Sequence, residues 1–263
     1  MSLSVVIPTK NEERNIGNCL DALTGLDTIV VDNLSTDRTR EIAAAKGSSV
    51  LIKGPERCAQ RNRGWREAQG EWVLFLDADM IVTPELLAEL KATVAAPADG
   101  IDAYWIPEVR TGCGLRLQAR NFERSFYNGT VIDGFRLLRR SALERVGGYD
   151  ETLVACEDWD LDRRLLASGA KGALLKSHLL HNEAQQSLAT LLRKKAYYST
   201  SVDRYRTKWG DDETCRRQFG VGYRFFGVFF ANGGWKRLLR HPILTAVMYF
   251  ERFLVAWTYL THR

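Results

Sequence analysis

The segment Glu71-Trp-Val-Leu-Phe-Leu-Asp-Ala-Asp79 constrains the fold of this chain more than any other. Val73, Leu74, Phe75 and Leu76 form an apolar run without polar alternation, the pattern of a strand buried on both faces of a parallel sheet. A parallel sheet needs helices over its faces, so this strand already points to an α/β protein. Asp77 and Asp79 leave the run at its C-terminal end, where open α/β sheets place their ligands. Two carboxylates one residue apart offer hard oxygen ligands suited to Mg²⁺ or Mn²⁺, ions that commonly accompany substrate phosphates. Taken alone, the triplet is equally compatible with a solvated turn before the helix expected from Pro84.

Strand and helix patterns alternate around it. Leu3 to Ile7, Thr28 to Val31 and Val50 to Ile52 read as short strands. Asn11 to Leu23, the stretch from Ser35-Thr36-Asp37 to Lys46, and Cys58 to Ala68 read as helices, with Gly47 and Gly70 as stops. This order predicts a mostly parallel central sheet flanked by helices. After the Pro84 to Val94 helix, Ala103 to Val109 reads as one further strand. Arg110 to Ile132 has no periodicity, which suits a long functional loop or short helix over the site. A helix begins at Ser141, another runs from Glu157 to Ala167, and Ala173 to Lys176 reads as a strand leading to His178 and His181.

A chain of 263 residues suffices for one large α/β domain with an appendage. The five cysteines are odd in number and lack any Cys-x-x-Cys pair, which argues for reduced thiols and against structural zinc. Lys10 to Arg14 is polar where the apolar core of a secretion signal would lie, so the expectation is a cytoplasmic protein. Charge is unevenly spread: residues 186–263 hold 14 Lys or Arg against 5 Asp or Glu, leaving residues 1–185 net acidic. No groove-reading or RNA-binding motif accompanies the basic part, so nucleic acid is not the expected partner. The same part is rich in Phe, Trp, Tyr and Leu, which fits an anionic membrane surface better. Leu188 to Tyr205 reads as helical, Phe219 to Phe230 is strongly aromatic, and Ile243 to Leu260 is mostly apolar over 18 residues. Glu251 and Arg252 at the centre of that last segment disfavour a membrane crossing. The reading is an interfacial helix with Ile243, Val247, Phe250, Leu254 and Trp257 as its apolar stripe. Lys236, Arg237, Arg240 and His241 would meet headgroups; packing on the protein's own core is the competing reading.

Several separated segments then coincide. They are Val5-Val-Ile-Pro-Thr-Lys-Asn-Glu12, Val30-Val-Asp-Asn-Leu-Ser-Thr-Asp37, Ala59-Gln-Arg-Asn-Arg-Gly64 leading to Gly70 through Asp79, and Gly147-Gly-Tyr-Asp-Glu151 followed by Glu157-Asp-Trp-Asp-Leu161. In this order and spacing the chain, from Val5 to about Glu183, resembles the inverting, GT-A fold glycosyltransferases of family 2, which use nucleotide-diphosphate sugars. The resemblance implies a Rossmann-like GT-A domain over 1–185, with a nucleotide-sugar half (1–100) and an acceptor and catalytic-base half (101–185). Residues 186–263 are expected to form a basic, aromatic helical extension.

By the same resemblance, Pro8, Thr9 and Glu12 after the first strand, with Asp32 and Ser35 after the second, hold the nucleoside. The chemistry is sound, because a carboxylate accepts hydrogen bonds from a base N–H or ribose hydroxyls. The family often has two acids after the second strand, where this chain has Asp32-Asn33, which leaves base selectivity open; a UDP-sugar is the favoured donor. Arg61 is placed near the diphosphate or donor sugar, since a guanidinium binds phosphate oxygens bidentately. Asn62 and Arg63 could instead be solvent-facing. The turn Asp77-Ala78-Asp79 is implied to contact the donor and, with His181, to hold Mn²⁺ or Mg²⁺, His178 being the fallback ligand. Asp158 is implied as general base towards an acceptor hydroxyl, with Glu157 orienting it or binding the acceptor. Helix-dipole stabilisation explains Asp160 and Asp162 better than Asp158. Trp105, Tyr104 and Trp159 could stack on sugars, although aromatics among apolar neighbours are usually core.

The expected activity is transfer of a sugar to a lipid-linked or surface glycan at the cytoplasmic face of the membrane, with peripheral contact through 219–263. Two other classes compete. A sugar-phosphate nucleotidyltransferase would open with a glycine-rich phosphate loop, and Val5 to Glu12 has no glycine. An inactive membrane-associated binding or scaffold protein would not need Asp77, Asp79 and Asp158 intact.

Overall fold

Strand β1 (Leu3–Thr9) is buried along its whole length, and its side chains alternate between two cores. Val5 and Ile7 pack with Leu74, Leu137, Ile16, Leu20, Leu86 and Leu90 on one face of the central sheet. Val6 packs with Val31, Val73, Phe75, Leu138, Trp65 and Leu161 on the other. A computed structural model describes residues 2–182 and 202–261. From β1 the chain runs through α1 (Ile16–Asp21), β2 (Asp27–Asp32), α2 (Thr39–Ala45), β3 (Ser49–Ile52), α3 (Arg57–Glu67), β4 (Trp72–Phe75), β5 (Met80–Val82) and α4 (Pro84–Ala95). It continues with β6 (Ile101–Trp105), β7 (Glu108–Arg110), α5 (Leu115–Arg124), β8 (Phe135–Arg139), α6 (Arg140–Val146), α7 (Glu157–Ala167), β9 (Lys171–Leu174) and β10 (Leu179–His181).

The central sheet has the order β3-β2-β1-β4-β8-β6-β9. It is parallel except for β8, which runs antiparallel to both β4 and β6. A second sheet, β5-β10-β7, stands at the C-terminal edge of β4. The single strand expected over Ala103 to Val109 is in fact two, β6 in the large sheet and β7 in the small one. Pro107 stands at the break, where it has no N–H to give a ladder, so the chain changes sheets there. Gly134-Phe-Arg-Leu-Leu-Arg-Arg forms β8 and the start of α6, and the aperiodic stretch 110–132 contains α5.

The C-terminal elements are α8 (202–209), α9 (Glu213–Phe219), a π-helical turn (Tyr223–Gly227), α10 (Val228–Phe230), α11 (Trp235–Arg240) and α12 (Pro242–Thr261). Most of the helix expected over Leu188 to Tyr205 lies outside the described residues. Val228, Phe229, Leu238 and Met248 pack on Phe122 of α5 and on Phe126 in the turn after it. Asp160 in α7 is fully buried and accepts from Trp209 Nε1 at 2.9 Å, while Lys208 lies at 2.7 Å. Asp162 accepts from the Phe135 N–H at 3.1 Å and from Trp105 Nε1 at 3.1 Å. Both acids therefore serve tertiary structure, beyond any interaction with the helix dipole.

Helix α12 resolves its central charges by rotation. Glu251 pairs with Arg116 at 2.6 Å, and Arg252 reaches the Tyr127 hydroxyl at 2.8 Å, pairs with Glu123 and lies over the Phe225 ring. Ile243, Phe250, Phe253 and Leu254 are left exposed, Val247 is half-buried, and the Trp257 side chain is outside the described residues. Among the described residues no helix is long and apolar enough to cross a membrane.

Candidate active site

The loops after β1 and β2 are tied to each other. Asp32 is fully buried: it accepts from the Ser35 N–H at 2.8 Å, from the Ser35 hydroxyl, and from the Thr9 hydroxyl at 3.2 Å. The Asn11 N–H donates to Ser35 Oγ at 2.8 Å, and Gln60 Nε2 bonds the Thr9 carbonyl at 3.0 Å. Asn11, Leu34 and Cys156 are the non-glycine residues at positive φ among the described residues, and all three stand in loops that carry site motifs. Such strained backbone persists only where surrounding contacts over-determine it.

The small sheet explains how the metal candidates meet. Asp79 immediately precedes β5, and His181 ends β10 in register with Met80. His181 Nε2 accordingly lies 3.2 Å from Asp79 Oδ2. Burial alone would lower the imidazole pKa, yet hydrogen bonding to Asp79 and the nearby Glu108 carboxylate raise it to about 9. His178 is exposed and takes no part. Asp77 is held differently, by Arg61 at 3.1 Å and Arg136 at 3.8 Å. Against the burial that would raise it, these guanidinium groups bring its pKa down to about 2. No preassembled group of three ligands stands among the described residues. The Asp79-His181 pair, a hard oxygen and an imidazole at one cleft edge, would suit a divalent cation, with substrate oxygens needed to complete the ligand set.

Arg61 joins this side to the other half of the site. Its Nη1 is 2.9 Å from Asp158 Oδ1 and 3.6 Å from Glu157, its Nη2 binds Asp77, and the Tyr149 ring lies 5.1 Å from the guanidinium. Arg57 supports Glu157 at 3.3 Å; burial and the neighbouring Asp158 charge push the Glu157 pKa up. Asn62 is buried. Its amide donates to the Tyr149 carbonyl at 2.9 Å and to Glu151 at 2.8 Å, and its oxygen accepts from the Tyr149 N–H at 2.8 Å and from Trp65 at 3.1 Å. Asn62 thus docks Gly147-Gly-Tyr-Asp onto α3 and aims Tyr149 at Arg61, while Arg63 is the exposed neighbour, ion-paired with Glu67. A Cβ on Gly148, at φ 80, would stand 2.4 Å from Asn62 Oδ1, so only glycine permits this contact. A Cβ on Gly134 would approach the Asp158 Cβ to 2.9 Å, so that glycine makes room for the acid.

Two cavities flank the Asp77–Arg61 ion pair, one lined by each partner. A cleft of about 310 Å³ is lined by Pro8, Thr9, Glu12, Asp77, Ala78, Asp79 and His181. A pocket of about 170 Å³ is lined by Arg61, Asp158, Tyr149, Trp159, Arg124 and Arg136 among others. Asp32 and Ser35 do not line the cleft; they brace its wall. Tyr104 is core, near Trp72, and Trp105 stacks on Phe135. Sequence reasoning missed Arg57, Gln60, Glu108 and Arg136. Arg136 could have been found from the alternation Phe135-in, Arg136-out of a strand, whereas Glu108 carries no sequence signal because its place depends on the sheet change at Pro107.

The sequence pattern of glycosyl transferase family 2 matches residues 4–147. The chain belongs to this family. It is 27% identical over 220 residues to the pre-mycofactocin glycosyltransferase of Mycobacterium tuberculosis, a match covering 76% of this chain and 46% of that protein. It is 33% identical over 111 residues to the dolichol-phosphate mannosyltransferase of Pyrococcus furiosus, covering 38% of this chain and 32% of that one. This member of family 2 therefore spans about half or less of the length of these curated relatives. Among solved structures it resembles the mannosyltransferase PcManGT of Pyrobaculum calidifontis in complex with GDP-Man and Mn²⁺, with TM-score 0.62, 16% identity, and coverage of 99% and 80%. It also resembles Staphylococcus aureus TarS 1-349 in complex with UDP-GlcNAc, with TM-score 0.56, 23% identity, and coverage of 71% and 60%. These likenesses are of fold: a GT-A type α/β domain with a mostly parallel central sheet.

Proposed function

We propose that this family 2 chain is an inverting glycosyltransferase that moves a sugar from a nucleotide-diphosphate sugar to an acceptor hydroxyl. The observation that carries this reading is the span of Arg61, whose two terminal nitrogens touch Asp77 at the donor cleft and Asp158 at the adjoining pocket. One buried side chain thereby relates the leaving-group side to the proton-accepting side. Nucleoside contacts fall to Pro8, Thr9 and Glu12, with Asp32 and Ser35 shaping their loop; a UDP-sugar is the first donor to test. Asp79 and His181 would hold a divalent cation, Mn²⁺ or Mg²⁺, with Asp77 beside them towards the donor. That cation, when bound, neutralises charge growing on the departing diphosphate.

Asp158 Oδ1 is held by Arg61, and the carboxylate takes the acceptor proton as the new C–O bond forms and the glycosyl–phosphate bond breaks. Glu157 orients Arg57 and Arg61 beneath it. A single displacement inverts the anomeric centre. Residues 1–185 would carry the chemistry and 186–263 the extension. The exposed Phe226, Phe230, Leu239, Ile243, Phe250 and Phe253, on C-terminal elements that also carry exposed Lys236 and Arg240, support peripheral contact with an anionic bilayer and with it a lipid-linked or surface-glycan acceptor at the cytoplasmic face. The test is Asp158→Asn. It should keep UDP-sugar binding, measured by thermal shift with Mn²⁺, and lower transfer by about 10²–10⁴-fold. Unchanged turnover would remove Asp158 from the base role.

A further inference from the structure

We propose that Glu108 is the positioning residue of the cation site, acting through His181. The inference rests on the donor and cation reading given above. Glu108 opens β7, which pairs in parallel with β10 so that Leu179 stands opposite Glu108 and His181 opposite Arg110. The carboxylate, 12% exposed, reaches along the strand pair to the back of the imidazole, with Oε2 3.8 Å from His181 Nδ1. The other ring nitrogen faces Asp79. Nδ1 is buried and has no hydrogen-bond partner among the described residues, so the nitrogen behind the ligating one has a single carboxylate in front of it. When Nε2 binds a cation the ring proton must sit on Nδ1, and closing the gap by about 1 Å brings Nδ1–H to Oε2 within hydrogen-bond range. Carboxylates behind ligating histidines fix their tautomer and ring orientation.

The second oxygen is already committed. Arg136 binds Glu108 Oε1 through Nε at 2.7 Å and Nη2 at 2.5 Å, and Arg124 lies at 3.7 Å. Arg136 continues to Asp77 at 3.8 Å. Glu108 therefore stands in the wall between the two cavities, with one oxygen turned to the cation ligand and the other to the arginines. A carboxylate has an acceptor for each; an amide has only one.

The experiment follows from that count. In Glu108→Gln, Mn²⁺ affinity measured by electron paramagnetic resonance in the presence of UDP should fall about 10–100-fold, while UDP affinity without metal stays within twofold. Glu108→Asp, which retains the charge one methylene further back, should lie between Gln and wild type; it also serves as the readout if the Gln variant does not fold. In a His181→Ala background, Glu108→Gln should cause no further loss. The proposal is overturned if Glu108→Gln and Glu108→Asp bind Mn²⁺ within twofold of wild type, or if Glu108→Gln weakens binding equally with and without His181. A wild-type protein with no Mn²⁺-dependent UDP binding would overturn the donor and cation reading itself, and this proposal with it.

Discussion

Replacing Arg61 with methionine removes the charge that three carboxylates share while keeping most of the side-chain volume. Arg61 is 3% exposed, Glu157 6%, Asp77 24% and Asp158 39%. Breaking a fully buried pair costs about 3–5 kcal/mol because the abandoned charge stays buried. Asp158 is open enough to rehydrate, which discounts its share, so the expected loss is about 2–4 kcal/mol. For a chain of this size that is a fall of roughly 4–16 °C in Tm. The assay is thermal unfolding near neutral pH, run on Arg61→Met, Asp158→Asn and the double variant. Removing the Asp158 charge should relieve part of the Arg61 defect, giving a coupling of about 0.5–3 kcal/mol. A Tm drop below about 2 °C for Arg61→Met, or strict additivity in the cycle, would refute the idea that this guanidinium holds the two halves of the site together.

Gly134→Ala should displace Asp158, lowering kcat by at least about tenfold while leaving donor KM near wild type; unchanged kcat would show that the acid has room to spare. Asp150 pairs with Lys208 at 2.7 Å; burial opposes it, but the Lys208 and Thr152 hydrogen bonds hold its pKa at about 2 against an ordinary value of 3.8. Its stabilisation is thus complete above about pH 4 and lost as pH falls through about 2. Lys208→Met, which also takes the ammonium from buried Asp160 at 2.7 Å, should cost about 2–4 kcal/mol at pH 6 and flatten the stability profile between pH 4 and 2, as measured by urea unfolding; an unaltered profile would contradict the pairing. Phe226, Phe250 and Phe253 are all exposed. Changing all three to serine should leave Tm within about 2 °C and release the protein from anionic vesicles in a flotation assay; undiminished flotation would remove this face from membrane contact.

Local chemistry determined much of this protein. The apolar run ending in Asp77-Ala-Asp79 dictated a doubly covered strand with a carboxylate-bearing exit, because burial on two faces forbids polar alternation. The helix and strand periods around it dictated an α/β sheet, and the order of the short motifs identified the family. Those signals are all short-range in sequence. What tertiary structure alone decided was which polar groups share a place. Asn62 looked like a candidate for the helix surface, yet Gly148 lets the chain close on it and saturate its amide. Arg61 gained its meaning from Asp158, a residue 97 positions away. Glu108 had none until Pro107 turned the chain into a second sheet beside His181. Glu251 and Arg252 interrupt an apolar run in sequence, and α5 supplies their partners, Arg116 and Glu123, in the fold. In each case the deciding term is the cost of burying a charge or amide without a partner, and a partner brought from far along the chain is visible only once the chain is folded.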